Sequence, residues 1–403
     1  MIRGGNLSAD IGQQLLEDDF VYLPDEVVAK FPRSVARPGD LIFTAWGTIE
    51  QVGIVPRESR FTRYLVSNKQ LLFRPSPKIA DPLFLYYFFS SEAGQAEILE
   101  RRIGSSVPGF NLGGLKSIPV PLPPLPEQRA IAATLGALDD KIELNRRIGA
   151  TLEGMARALY RSWFVDFDPV RAKMEGHAPA HMAPATAALF PDRLDGDGLP
   201  EGWGMGALGD IIDFNPREKL KKGAEAPYLE MKALPTSGAI PDMPYLRAVT
   251  SGTKFRVGDT LLARITPCLE NGKAAMVDDL LGEPIGWGST EFIVMRARGD
   301  VSPMLSYCLA RDDEFRAEAI QTMTGSSGRQ RADGKRIAEF DHVIAPAAIH
   351  RAFAEACAPM TARVFASGRE SRTLATLRDA LLPRLISGEL RVGKAKEAIA
   401  VAL

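Results

Sequence analysis

Apolar residues recur at heptad spacing between residues 124 and 169. This spacing, kept over about five heptads, is typical of a coiled-coil helix. Pro124, Pro126 and Glu127 suit the first turn of such a helix, and no further proline follows before Pro169. The helix would be about 55 Å long and would need a long partner. The two core positions are filled by Ile131, Leu138, Leu152 and Leu159, and by Leu135, Ile142, Ala156 and Trp163.

A later stretch of the same chain reproduces this seam 222 positions further on. Its polar interruptions coincide as well, because Asn145 and Gly149 correspond to Ser367 and Ser371. Matching interruptions favour a duplicated unit, so we predict that the second stretch forms the partner helix. We expect the interruptions to lie where the two helices cross, and to fix their register. The repeated seam residues are Phe353, Cys357, Met360, Val364, Leu374 and Leu381.

The segment before each long helix repeats too. Residues 1–123 and 203–346 both mix short β-like runs with Gly, Pro and Ser turns. Each segment includes one predicted helix, over 81–102 in the first and over 302–319 in the second. The proline-rich stretch 118–122 predicts an edge strand. The fold class is therefore α+β, with two mixed α/β domains, two long helices and an internal duplication.

The repeat sets the predicted boundaries. The first domain aligns with the second only from near Leu229, so it lacks a counterpart of residues 202–228 and is expected to be truncated at its N-terminus. The predicted segments are a first domain over 1–123, a first long helix over 124–169, a linker over 170–202, a second domain over 203–346, a second long helix over 347–390 and a flexible tail over 391–403.

Composition narrows the classes of function. The chain has 403 residues, 45% hydrophobic content and a net charge of −1, so any nucleic-acid site must come from local basic patches. Three scattered cysteines suit a reducing cytoplasm and give neither a disulfide framework nor zinc spacing. The start shows no apolar signal-peptide core, and the longest apolar run, 83–89, is too short to span a bilayer.

Motifs for catalysis are absent from the sequence. There is no phosphate-binding Gly-x-x-x-x-Gly-Lys-Ser/Thr loop, and no Asn-Pro-Pro-aromatic tetrapeptide of the kind that holds a flipped base in amino-methyltransferases. His177 and His181 have helical ligand spacing, but Pro179 interrupts the helix and no third ligand is near. We therefore expect no catalytic residue, bound cofactor or metal in this chain.

The positive signal is a set of glycine-hinged loops that carry Arg, Lys, Ser, Gln and Asn and recur at the same place in both domains. These side chains suit phosphate contacts and bidentate contacts with base edges. Divergent loops on two similar scaffolds favour two readers of different DNA sequences. The candidate DNA-binding residues are Arg101, Arg102, Ser105, Ser106, Asn111 and Lys116 in the first domain, and Arg264, Thr266, Asn271, Lys273, Ser326, Ser327, Arg329, Gln330, Arg331 and Lys335 in the second.

Several motifs resemble those of the specificity subunits of type I restriction–modification enzymes. The similarity covers nearly the whole chain and is most specific over residues 118–173, which include Pro126-Glu127-Gln128-Arg129, Leu138-Asp139-Asp140-Lys141-Ile142 and Trp163-Phe164-Val165-Asp166-Phe167-Asp168-Pro169. Residues 199–203 resemble the start of a recognition domain in that family, and residues 382–390 resemble the end of its second conserved helix. The second helix departs from the family, because it lacks the Pro-x-x-Glu-Gln signature and has Pro346 and His350-Arg351 instead.

This resemblance implies a DNA-reading subunit without catalysis of its own. Each domain would read one half of a split target in double-stranded DNA, and the helices would pack antiparallel and set the gap. Two modification (methyltransferase) subunits and restriction/translocase subunits would be the partners, and S-adenosylmethionine and ATP/Mg would bind to them. Two alternatives remain open at this stage: a coiled-coil adaptor that binds proteins rather than DNA, and a truncated or silent copy of a specificity subunit.

Overall fold

The computed structural model describes residues 1–17, 19–104, 106–326 and 328–402. It divides into two compact units. The first comprises Met1–Ile142 with Thr373–Leu403, and the second comprises Glu143–Arg372. In the described part of the chain, no helix is both long and apolar enough to cross a membrane.

The first unit contains a three-stranded antiparallel sheet and a two-stranded sheet. Its strands are β1 (Val35–Ala36), β2 (Leu41–Thr44), β3 (Val52–Ile54), β4 (Tyr64–Leu65) and β5 (Gln70–Phe73). Strand β2 lies between β3 and β5, and all four of its residues are buried. Phe43 of β2 packs edge to face on Phe89, with ring centroids 4.9 Å apart, which joins the sheet to the helices behind it.

Four short helices complete the first domain: α1 (Asp25–Ala29), α2 (Pro82–Ser90), α3 (Glu92–Glu100) and α4 (Leu112–Ser117). The prediction of one helix over 81–102 is wrong, because the chain breaks at Ser91. Ser91 is extended, with ψ 160°, and its hydroxyl accepts a hydrogen bond from the backbone N–H of Gly94, which caps α3. A Cβ at Gly94 would lie 2.1 Å from the carbonyl oxygen of Phe88, so the two helices meet too closely for a side chain there.

The first long helix, α5 (Leu125–Phe164), begins at the predicted prolines and runs for 40 residues. Gln128 fixes its start. The buried Gln128 side chain donates to the carbonyl oxygens of Ile79 and Pro123 and accepts from the backbone N–H of Asp81. The beginning of α5 is thereby tied to the N-terminus of α2.

The second unit holds the helices α6 (Asp168–Met174), α7 (Pro184–Ala187), α8 (Pro303–Ala310), α9 (Asp313–Gln321) and α10 (Gly334–Ala338). The predicted helix over 302–319 is again two helices, separated at Arg311 and Asp312. The strands are β6 (Gly204–Ala207), β7 (Ile212–Phe214), β8 (Glu225–Leu229), β9 (Tyr245–Ala248), β10 (Thr253–Phe255), β11 (Thr260–Ala263), β12 (Ala274–Met276), β13 (Gly286–Gly288), β14 (Phe292–Ala297) and β15 (Asp341–Ile344).

These strands form three sheets, in the orders β10-β13-β8-β9, β12-β11-β14-β7 and β15-β6. The central strand β11 matches β2, since each has two antiparallel neighbours and four buried residues. In the second domain β15 pairs with β6 and β14 pairs with β7. In the described part of the first domain, no strands correspond to β6 and β7. Residues 118–122 form no strand, so the prediction of an edge strand there is wrong.

The chain ends with the second long helix, α11 (Ala347–Ile386), and with α12 (Val392–Ala402). A helix therefore occupies most of the segment for which the sequence predicts a flexible tail, and Ala395 of this helix is buried. The linker expected over 170–202 contains most of α6 and all of α7, and its Phe190 is buried against Trp163, with ring centroids 5.0 Å apart.

The predicted pairing of the two long helices is confirmed. In the second unit Trp163 near the end of α5 packs on Phe353 near the start of α11, and Asn145 lies beside Glu370 further along, so the helices run antiparallel. In the first unit Asp139 of α5 pairs with Arg378 of α11. The buried seam residues are Ile131, Leu135, Leu138, Ala156, Trp163, Phe353, Cys357, Val364, Leu374 and Leu381.

Candidate nucleic-acid interface

In the second domain, the loop after β11 and the loop before α10 are joined by backbone hydrogen bonds. The N–H of Thr266 donates to the carbonyl of Gln330 at 3.0 Å, and the N–H of Ala332 donates to the carbonyl of Arg264 at 2.8 Å. Thr324 and Arg331 exchange two further bonds within the second loop, of 3.0 and 2.9 Å. Two groups of candidate residues that are about 60 positions apart in sequence therefore form one surface.

The first domain repeats these four bonds. The N–H of Gly47 donates to the carbonyl of Pro108 at 2.9 Å, and the N–H of Phe110 donates to the carbonyl of Ala45 at 2.8 Å. Ile103 and Gly109 exchange bonds of 2.8 and 2.7 Å, as Thr324 and Arg331 do. We call the two surfaces the first and second loop clusters, formed by the described residues of 45–49 with 101–111 and of 264–273 with 324–335. The scaffold is the same in both, and the side chains differ.

Backbone conformation explains the glycine shared by the two clusters. Gly104 has φ +82° and Gly325 has φ +129°, and both follow directly after the residue that starts the exchanged pair of bonds. Residues with a side chain rarely adopt these angles, so glycine is required where the chain turns away from the sheet.

In the second cluster the candidates differ in their freedom to bind a ligand. Arg329 and Gln330 are exposed, whereas the Arg331 guanidinium is held by both carboxylate oxygens of Glu291 at 2.8–2.9 Å. That hydrogen bonding raises the pKa of Arg331 and commits its charge to the domain itself. Arg264 is half-buried, and its Nε has no hydrogen-bond partner among the described residues.

The remaining candidates of the second cluster lie around this centre. The Thr266 hydroxyl contacts Glu270 at 3.3 Å, and the Lys273 ammonium donates to the carbonyl of Met231 at 3.2 Å. Asn271 and Ser326 are exposed in the two loops, and Lys335 is exposed in the first turn of α10. Ser327 lies outside the described residues, as does Ser105 in the first domain.

In the first cluster Arg101 is committed to structure, since its guanidinium pairs with Glu97 at 2.6 Å and donates to the Ser117 hydroxyl at 3.0 Å. Arg102 and Ser106 are exposed in the loop, and Lys116 is exposed in the last turn of α4. The Asn111 side chain caps α4 by accepting from the N–H of Gly114 at 2.8 Å. The sequence prediction therefore mixes exposed cations with residues that hold the loops in place.

Sequence reasoning missed Trp46, which lies in the first cluster at the place that Ile265 occupies in the second. Its ring is 52% exposed and lies against Gly109, where an added Cβ would come within 2.7 Å of it. The sequence alone does not indicate this exposed ring. A lone Trp after a short strand is usually buried, and the exposure of Trp46 depends on the contact between the two loops.

Among the described residues, neither cluster offers a metal site. In residues 1–17, 19–104, 106–326 and 328–402, no group of three or more His, Cys, Asp or Glu side chains is arranged to hold a metal ion. Both clusters present exposed polar and basic side chains to a ligand, the second cluster also exposes Glu270, and the first also exposes the apolar side chains of Trp46, Ile103 and Val107.

Comparisons with known proteins show similarity to one protein family. Residues 35–154, which include the first loop cluster, match the model of the type I restriction modification DNA specificity domain. The MjaIX type I restriction enzyme specificity subunit of Methanocaldococcus jannaschii is 25% identical over 325 residues, which are 77% of this chain and 69% of that protein. The HindI specificity subunit of Haemophilus influenzae is 32% identical over 192 residues, which are 37% of this chain and 42% of that protein.

Solved structures of such subunits also align with the chain. The S subunit of a type I restriction–modification system from M. genitalium aligns with a TM-score of 0.47 and 16% identity, over 87% of this chain and 83% of that one. The HsdS subunit from Thermoanaerobacter tengcongensis aligns with a TM-score of 0.32 and 20% identity, over 96% and 89%. By these matches, the chain carries a type I restriction modification DNA specificity domain over residues 35–154, and it is similar to the specificity subunits of type I restriction enzymes.

Proposed function

We propose that the two domains read the two halves of a bipartite DNA target, one half each. The observation that carries this proposal is the repetition of four backbone hydrogen bonds around two loop clusters with different side chains. One scaffold used twice with divergent loops is the arrangement expected of two readers with different sequence preferences.

The exposed side chains suit DNA. Arg329 and Gln330 lie next to each other at the tip of the second cluster, where Arg can form a bidentate contact with guanine and Gln with adenine. Lys335 at the start of α10 and Arg102 in the first cluster suit phosphate contacts, which position a protein on the duplex without reading its sequence. The net charge of −1 agrees with binding through such local patches rather than through the whole surface.

We propose that the length of α5 and α11 sets the gap between the half-sites. Each helix has 40 residues, or about 60 Å, and each contributes residues to both units. One turn of B-DNA is about 34 Å, so a rigid helix pair of this length is long enough to hold two half-sites at a fixed separation of one turn or more. Deleting four residues from both helices is expected to change the gap and keep both half-site sequences. An unchanged gap would rule out the helices as the spacer.

The catalytic work and the cofactors of the complex are proposed to belong to other chains. Two methyltransferase subunits would bind the helix pair and the adjacent domain surfaces, with S-adenosylmethionine, and restriction subunits would supply ATP/Mg chemistry. The two-fold repeat within this chain supports two copies of one partner, because it offers two similar surfaces. The purified chain alone should transfer no methyl group to DNA, and methyl transfer should appear when the methyltransferase subunits are added.

Methylome sequencing of a host that carries this gene together with its methyltransferase gene tests the proposal. The expected result is one methylated motif made of two short specific sequences separated by a fixed, unspecific gap. A host that expresses the methyltransferase alone is the control and should lack the motif. A protein-binding adaptor, or a silent copy of the subunit, would leave the methylome of both hosts the same.

A further inference from the structure

The first loop cluster carries an apolar tip that the second cluster lacks. Trp46 is 52% exposed, Val107 54% and Ile103 39%. Trp46 and Ile103 both lie against Gly109, at 2.7 and 3.1 Å from the position of an added Cβ, so their side chains are neighbours. In the second cluster Arg264, Thr266 and Gln330 occupy the places of Ala45, Gly47 and Pro108.

The exposure of Trp46 sets it apart within the chain. The other three tryptophans, Trp163, Trp203 and Trp287, are between 2% and 6% exposed and belong to cores. Backbone hydrogen bonds on both sides of Trp46 fix its loop, so the exposed indole ring is preorganised for a contact. Burying the ring against a ligand would therefore cost little conformational entropy.

The surroundings of the tip fit DNA. Arg102 and Lys116 are exposed within the same segment, and neither has an ion-pair partner in the part of the chain that the structure describes. No acidic residue lies between positions 101 and 116. An apolar tip flanked by free cations, on the same scaffold as the polar second cluster, suits a duplex, because DNA presents apolar thymine methyl groups in a groove between anionic phosphate backbones.

We infer that Trp46, with Ile103 and Val107, reads thymine in the first half-site through the C5-methyl group. The methyl group of thymine is the apolar feature that base edges present in the major groove, so an apolar tip can distinguish a T·A pair there. The second domain would read its half-site through hydrogen bonds instead. This inference rests on the proposed reading of DNA and adds which chemistry each domain uses.

The test measures the affinity of the full chain, assembled with its methyltransferase subunits, for fluorescein-labelled duplexes that carry the methylated motif. Each thymine of the first half-site is replaced in turn by uracil, which removes only the methyl group. At one or more positions the wild type should bind about fourfold more weakly, as expected for about one buried methyl group. Trp46→Ala should bind the thymine duplex on the order of tenfold more weakly and should no longer distinguish thymine from uracil.

Control variants and duplexes distinguish a loss of the thymine contact from a loss of folding and from a failure of the proposed function. Phe31→Ala removes an aromatic ring of similar exposure, 53%, that belongs to neither loop, and should change nothing. Val107→Ser changes a side chain that is 54% exposed, so it should keep the loop in place while reducing the discrimination between thymine and uracil. Uracil in the second half-site should have the same effect on the wild type and on Trp46→Ala.

Two outcomes would overturn the inference while leaving the proposed function standing. In one, the wild type binds its target but does not distinguish thymine from uracil anywhere in the first half-site. In the other, the distinction survives in folded Trp46→Ala. If the wild type shows no sequence-selective binding at all, the proposed function itself fails, and this inference with it.

Discussion

Asn145 and Glu370 are joined across the two long helices by a hydrogen bond of 2.8 Å, from Asn145 Nδ2 to Glu370 Oε2. Asn145 is buried at a polar interruption of the seam, and so is Ser367. Gly149 and Ser371, the other two interruptions, are half-buried. The expectation that these positions face the partner helix is thus confirmed for Asn145, whose side chain fixes one register of the pair.

We predict that Asn145→Ala lowers the free energy of unfolding by about 2 kcal/mol, because it removes a buried hydrogen bond to a carboxylate. Leu144→Ala, at the neighbouring half-exposed position, is the matched control and should cost less than about 0.5 kcal/mol. Urea unfolding followed by circular dichroism measures both variants. Equal stabilities of the two variants would show that the Asn145 contact contributes nothing.

A second buried link lies in the first unit, where Arg378 of α11 contacts Asp139 of α5 at 2.7 Å, with side-chain exposures of 8% and 5%. Tyr87 donates to the same carboxylate, and Arg378 also donates to the carbonyl of Ile11 at 2.6 Å. Burial raises the pKa of Asp139 in spite of the cation, which shows how costly this carboxylate would be without its partners.

We therefore expect Arg378→Ala to destabilise the chain by about 3–5 kcal/mol, because an uncompensated carboxylate is left in the core. Arg384→Ala on the same helix breaks a pair with Glu389 whose side chains are 50% and 64% exposed, and it should cost less than about 1 kcal/mol. Thermal unfolding of the two variants distinguishes them. Similar melting temperatures would contradict a structural role for the buried pair.

Two histidines, the buried His350 and the half-buried His342, predict a loss of stability in mild acid. Burial lowers the pKa of His342 to about 4, and it also lowers the pKa of His350. Below the ordinary value of 6.5 the unfolded chain takes up protons that the folded chain does not, so stability falls as the pH falls from about 6.5 towards 4. For His342 alone the loss between pH 7.5 and pH 5 is about 2 kcal/mol.

The check is the free energy of unfolding at pH 7.5 and pH 5 for His342→Phe, which should show a smaller difference between the two pH values than the wild type by about 2 kcal/mol. His177→Gln alters an exposed linker histidine and should keep the difference of the wild type. If His342→Phe kept the full pH dependence, His342 would not be the group that titrates.

The seam shows why the helices were predictable and the contacts between the loops were not. Burial of Ile131 and Phe353 follows from a period that the sequence displays directly. The contact of Gly47 with Pro108 is made by backbone atoms and leaves no mark on residue type, so the sequence predicted the loops but neither their joining into clusters nor the exposure of Trp46.

The departure from the family signature at His350 also has a structural explanation. Gln128 makes three hydrogen bonds at the start of α5, whereas His350 stacks on Phe164 at 5.4 Å between centroids and has no hydrogen-bond partner in the described part of the chain. The start of α11 therefore makes a ring contact where the start of α5 makes hydrogen bonds through an amide. The sequence pattern did not indicate this difference.

At the tip of the second cluster, Arg329→Ala is expected to weaken binding of the target duplex by about 1–3 kcal/mol and to relax the choice of base at one position of one half-site. Lys396→Ala removes an exposed cation of α12 and serves as the control, with unchanged affinity and specificity. Binding to duplexes with each base at each position measures both effects. Wild-type discrimination in Arg329→Ala would exclude this residue as a reader.

The most direct test of the account is to replace residues 203–346 with the corresponding domain of another specificity subunit and to sequence the methylome. If each domain reads one half of the target, the methylated motif will change in one half-site and keep the other half-site and the gap. A motif that changes in both halves, or in neither, would contradict the two-reader account.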